Sequence, residues 1–321
     1  MPYKILFAIL LTLNILPAAA NDSSGFVGTG GVQYLKNKHI DMQSEDLFIS
    51  KKQIRVAYRF FNHSRNDIRE TVLFPLPMVD GFGEGDFADT PALIKSFTIE
   101  ANGKRIQPKI HVRSYLYPSD AEGNVLYDSK PTDVTTALKS CGFTDSELMD
   151  PWTFKHDKDT LAQKTVACKD PVIQRITAGQ SSRVFPAAQV VYSWEQNFKA
   201  RSTTEIKHRY TPLVGGAVYF DPSPQKEFAK PYCISPAFRQ QFQQRKGIVA
   251  HDALSYILTT GANWARPIGQ FRLTIEHDAK EMVSLCWDGP IKAVSRTQLV
   301  AEKTRFLPKR DLDIIFVPTE K

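Results

Sequence analysis

The 321-residue chain lacks the features that announce a membrane span, a nucleic-acid partner or a catalytic metal. Beyond its first twenty residues, no stretch approaches the roughly 18 to 20 consecutive apolar residues that a spanning helix requires, so no membrane span is expected. Lys and Arg number 41 against 34 Asp and Glu, but this formal charge of +7 is scattered, without the basic runs of a nucleic-acid binder. The charge supports no more than a mild attraction to anionic envelope lipid or polysaccharide. The seven histidines form neither HxH nor HExxH, and no CxxC occurs, so zinc-ligand spacing is missing. The G-x-S-x-G elbow of a serine hydrolase is missing too, although a triad is defined by geometry and can be assembled from distant residues. GTGG, residues 28–31, follows no strand signal and lacks the Lys-Ser/Thr of a phosphate loop, so it reads as flexible backbone. No cofactor is expected.

What is present begins with an export signal. MPYK supplies one Lys, ILFAILLTLNIL supplies about a dozen apolar residues, and PAAA closes the run with Ala18 and Ala20 in an A-x-A arrangement. Cleavage near Ala20 would start the mature chain at Asn21, and no Cys follows to carry a lipid. The expected location is therefore periplasmic or secreted. With 42% of the chain hydrophobic and 23% charged, the mature part has the makeup of a globular protein large enough for two cores. Cys141, Cys168, Cys233 and Cys286 would enter an oxidising compartment, where three pairings are possible. Nearest neighbours, 141 with 168 and 233 with 286, are favoured because each bridge then stays within one expected domain.

The architecture reads as mainly β, two sandwich-like antiparallel domains with short helical insertions. In QIRVAYRF, Ile54, Val56, Tyr58 and Phe60 alternate with Arg55, Ala57 and Arg59. After the turn formers NHSRND, IRETVLF alternates again and ends at Pro75 and Pro77, so the pair reads as a hairpin. Asn102-Gly103 marks another hairpin by its type I′ turn signal. A helical insertion is expected near residues 132–150, ending at Gly142 and restarting with Thr144 and Glu147 at capping-box spacing. AAQVVYSWEQNF and TTEIKHRY then read as a further hairpin through Lys199-Ala200-Arg201. The first domain, residues 21–225, gives way softly to a second, 226–321, with two helices near 235–260. The first of these starts at Ser235-Pro236, and the second is HDALSYILTTG with Ala253, Leu254, Ile257 and Leu258 at helical spacing. Strands fill the remainder.

Two groups of residues could carry a site. Asp80, Glu84, Asp86 and Asp89 share one Gly-containing loop and could wrap a calcium ion with oxygen ligands, though the spacing matches no EF-hand and solvated loop acids are the simpler reading. Tyr192, Trp194, His208 and Tyr210 share the apolar face of the second expected hairpin. They could line an aromatic pocket with one titrating imidazole, or they could be sandwich core around a hydrogen-bonded histidine, the reading favoured here.

Five segments in order, NDSSGFVGTGGVQYLKNKHIDMQSEDLFIS, VLFPLP, VYSWEQNFKA, HRYTPLVGG and YCIS, resemble an uncharacterised family of exported bacterial proteins known only as a domain of unknown function. The resemblance implies bacterial origin and an envelope or extracellular location, and it supplies no activity. It marks SEDL, Ser44 to Leu47, as shared positions. The expected role is non-catalytic binding of an envelope protein or a glycan, and the alternative is an envelope hydrolase using Asp/Glu carboxylates and His208.

Overall fold

Alternation along residues 54–62 becomes a strand whose Ile54, Val56, Tyr58 and Phe60 enter the core while Arg55 and Arg59 face outward. The same rule builds most of the chain. The structure is a computed structural model that describes residues 22–28, 31–79, 90–120, 124–126, 129–149, 158–178, 184–217, 219–223, 230–243 and 249–319. In order, the first elements are β1 (Ser23–Gly28), β2 (Gly31–Tyr34), β3 (Ile40–Ile49), β4 (Ile54–Asn62), β5 (Ile68–Pro75) and α1 (Thr90–Ser96). Strands β6 (Thr98–Ala101), β7 (Lys104–Ile106), β8 (Lys109–Leu116) and β9 (Thr132–Asp133) lead to the helices α2 (Thr135–Ser140), α3 (Asp145–Met149), α4 (Lys158–Ala167) and α5 (Pro171–Thr177). Next come β10 (Ala187–Phe198), β11 (Thr203–Tyr210), β12 (Gly215–Ala217), α6 (Pro236–Gln243), β13 (His251–Tyr256) and a 3-10 turn at Thr259–Asn263. Strands β14 (Ile268–Glu276), β15 (Glu281–Leu285), β16 (Lys292–Ala293), β17 (Gln298–Phe306) and β18 (Leu312–Pro318) complete the chain. No described helix is long and apolar enough to cross a membrane.

The strands form three sheets, ordered β2-β1-β5-β10-β8-β9, β16-β17-β14-β3-β4-β11-β6-β7 and β12-β13-β18-β15. Every pairing between them is antiparallel except β3 with β14, which run parallel from Ser44 opposite Gln270 to Ile49 opposite Ile275. One core lies under all three sheets. Phe60 meets Phe198 edge-on at 5.8 Å between the eight- and six-stranded sheets, and the Tyr58 hydroxyl lies 3.0 Å from that of Tyr256 in the four-stranded sheet. The eight-stranded sheet therefore takes strands from both sides of residue 225, and the expected domain division there does not coincide with a break in the sheets.

Two expected hairpins are corrected. β4 and β5 belong to different sheets, as do β10 and β11. Each connection carries the chain across the core to the facing sheet. Period-two patterning states which side of a strand is apolar, and a crossing arch brings two apolar sides together as well as a hairpin does. The turn at Asn102-Gly103 does join a hairpin, β6 to β7, with φ of 48° and 75° at its two residues. The second expected helix of the C-terminal part is also corrected. HDALSY is strand β13, held between β12 and β18, with Leu254 and Tyr256 turned into the core. A short apolar run fits either period, and pairing with β18 decides it.

The helical insertion expected near residues 132–150 forms as α2 and α3, and helices α4 and α5 extend it beyond that range, with a small core of its own around Leu138, Phe143, Leu161 and Ile173. The Thr144 hydroxyl accepts from the Glu147 amide at 3.2 Å, and Glu147 Oε2 accepts from the Thr144 amide at 2.7 Å, a complete capping box. Cys141 and Cys168 are bridged across this unit. α6 is capped by the Ser235 hydroxyl, 3.1 Å from the Phe238 amide, and it covers the outer side of the four-stranded sheet. The Cys233–Cys286 bridge fastens the start of that helix to the end of β15. With both faces covered, β18 carries the continuous apolar run IIFVP after Asp313, its Ile314 and Phe316 in the main core and its Ile315 and Val317 on the side of α6.

Candidate functional site

Tyr192, Trp194, His208 and Tyr210 are all buried, between 1% and 5% exposed, between the six- and eight-stranded sheets. Phe97 stacks on Tyr192 at 3.8 Å, and Trp194 meets the His208 ring edge-on at 5.4 Å. His208 Nε2 lies 2.9 Å from Asp22 Oδ1, both side chains being fully buried. Burial pushes the Asp22 carboxyl up from its ordinary value, opposed in part by His208, and burial also raises the Tyr192 and Tyr210 phenols. The Trp264 indole donates to the Asp22 carbonyl at 2.7 Å, so the second residue of the expected mature chain is anchored in the core. These four residues are packed together as core and do not open to solvent. Asp80, Glu84, Asp86 and Asp89 lie outside the described residues.

The opposite side of the eight-stranded sheet carries a cluster of cations. Strand alternation puts Arg55 on the outer face of β4, Lys207 and Arg209 on that of β11, and Arg272 on that of β14. These cations surround an open depression of about 480 Å³, with Asp46 and Glu100 at its sides and Phe48 contributing apolar surface. The Arg55 guanidinium sits 4.2 Å above the Phe48 ring, which fixes its plane. Arg272 is paired with Glu302, whereas among the described residues no carboxylate ion-pairs with Arg55, Lys207 or Arg209. Thr98 and Thr274 add hydroxyls to the lining. A neighbouring depression of about 580 Å³ shares Asp46 and Arg272 and adds Ser44, Gln270, Lys303 and Thr304. Such a surface presents charge-assisted donors to an oxyanion and carboxylate acceptors to hydroxyl groups.

The SEDL segment lies at the centre of this sheet. Glu45 and Leu47 point inward, 1% and 0% exposed, whereas Ser44 and Asp46 face the depressions. Arg55 and Arg59 were legible in the sequence as outward positions of one strand. The juxtaposition of Arg55 with Arg209 and Arg272 was not, because it depends on β11 and β14 flanking β3 and β4.

No curated protein matches the chain. A crystal structure of a candidate nutrient binding protein from Legionella pneumophila is similar at 13% identity and a TM-score of 0.45, over 93% of this chain and 70% of that one. An M1 zinc metallopeptidase from Deinococcus radiodurans is similar at 10% identity and a TM-score of 0.28, over 88% of this chain. This chain spans less than half of that enzyme, 43% of its length. Neither likeness carries an argument about activity. A family model matches residues 20–315, and the chain belongs to that family, a domain of unknown function designated DUF4424.

Proposed function

We propose that the protein is an exported, non-catalytic binding protein of the bacterial envelope whose outer eight-stranded sheet face takes an anionic ligand. The observation that carries this reading is the depression of about 480 Å³ where Arg55, Lys207, Arg209 and Arg272 converge from three strands. Three of these cations have no carboxylate partner among the described residues, so an incoming anion meets donors that no internal pair has neutralised. The two disulfides are consistent with an extracytoplasmic protein. The imidazole considered for hydrolysis points to the other side of the sheet, into the core.

The test compares Arg55→Gln/Lys207→Gln/Arg209→Gln with a charge-matched control, Lys169→Gln/Arg175→Gln/Lys309→Gln, whose residues lie away from the depression. Binding of inorganic phosphate, a dicarboxylate and oligogalacturonate is measured calorimetrically. At least one probe is expected to bind wild type and control, with the first triple variant weakened about tenfold or more. Equal binding by both variants, or no binding of any probe, would overturn the reading.

A further inference from the structure

We infer that the ligand is a linear anionic polysaccharide lying along β3, an inference that rests on the binding reading above. In β3 the buried positions run Ile40, Asp41 and Met42, then Glu45, Leu47 and Ile49, and the register against β4 shifts between Met42 and Ser44. β14 changes phase beside it, from Ile268 to Phe271, Leu273 and Ile275. β17 adds Arg305 with φ of 50°, a left-handed residue inside a strand. Ser44, Gln270 and Thr304 are register partners, so the three irregularities stand in line across adjacent strands. Gly269 is required at this line, since a Cβ there would come within 2.5 Å of the Gln43 carbonyl oxygen.

Beside this aligned break in the pleat lies a third depression, about 870 Å³, lined by Arg59, Arg266, Arg305 and Gln43, with the mostly buried Asp41 at its edge. Arg266 lies 3.5 Å from Asp41 and is mostly exposed, and Arg305 has no ion-pair partner among the described residues. The three depressions join end to end. Ser44 and Gln270 belong to the third and the second, and Asp46 and Arg272 belong to the second and the first. From Asp41 to Phe48 the groove follows β3 for about 23 Å at some 3.3 Å per residue, with an arginine cluster at each end.

That length suits an extended polymer rather than a single small anion. The carboxylates of Asp46 and Glu302 along the groove can accept hydrogen bonds from sugar hydroxyls, which the side chains of an acidic peptide do not offer. β3 is hydrogen-bonded on both sides, so the groove has no free strand edge along its floor to which a peptide could add. A chain carrying both hydroxyls and carboxylates satisfies both kinds of lining group.

Oligogalacturonates from disaccharide to long chain, with polyglutamate as the peptide probe, test this by titration calorimetry. Affinity is expected to rise with chain length until the groove is spanned. Arg266→Gln/Arg305→Gln should weaken the long chain about tenfold or more while leaving the disaccharide held at Arg55 and Arg209 unaffected. Unchanged melting temperature of these exposed-residue variants verifies that they are folded. Length-independent affinity, or a long chain indifferent to Arg266 and Arg305, overturns the polymer inference while the single-anion reading survives. Polyglutamate binding as tightly as uronate at equal charge replaces the glycan with an acidic peptide. Failure of every probe defeats the underlying binding reading as well.

Discussion

Trp194 is 5% exposed among the rings of the sandwich core, and its packing against His208 leaves little room for another role. Trp194→Ala should lower stability by about 3–5 kcal/mol, measured by urea unfolding. An unchanged midpoint would show that the ring is dispensable to the core. Asp22 buries its carboxyl against His208. Its folded carboxyl is raised above 3.8 chiefly by burial, so its stabilising contribution is complete below that value and is lost as pH rises through the folded value. The melting-temperature difference between Asp22→Asn and wild type should therefore shift in favour of the variant as pH rises from 3.8, then level off. A shift in the opposite direction would mean that the His208 ion pair outweighs desolvation.

Among the elements, the line of irregularities through β3, β14 and β17 depends on Gly269. Gly269→Ala forces backbone against backbone and should cost about 1–3 kcal/mol, read as a lower unfolding midpoint. If the midpoint does not move, the close approach to Gln43 is relaxed in solution. The Cys233–Cys286 bridge closes 53 residues and ties α6, about two turns long, to β15. Removing it by Cys233→Ser/Cys286→Ser should cost about 2–4 kcal/mol, and wild-type stability of that variant would assign the clamp no role in the fold. Caps and turns at this scale were legible because their chemistry is local: Ser235, Thr144 with Glu147, and Asn102-Gly103 each act on neighbours a few residues away. β13 reads as helix in the sequence because six residues with Leu254 and Tyr256 inward carry too few apolar positions to distinguish the two periods.

At the scale of the molecule, the parallel pair β3–β14 joins parts of the chain more than two hundred residues apart. A fragment ending at residue 225 would expose the β14-facing edge of β3 together with core residues Leu47 and Ile49. It is expected to show no cooperative thermal transition, whereas the full chain should unfold in a single one. Two independent transitions in the full chain would restore a division into separate domains. The sequence by itself determined the strand-rich class, the side of each strand that is buried, the local caps and the residues available for bridging. It did so because alternation and capping act over short distances. Only the tertiary structure decided that β4 and β5 cross the core instead of pairing, that His208 meets Asp22, and that Arg55, Arg209 and Arg272 share one face. Those outcomes depend on which strands become neighbours, and an apolar face fits any complementary apolar face that the folded chain brings against it.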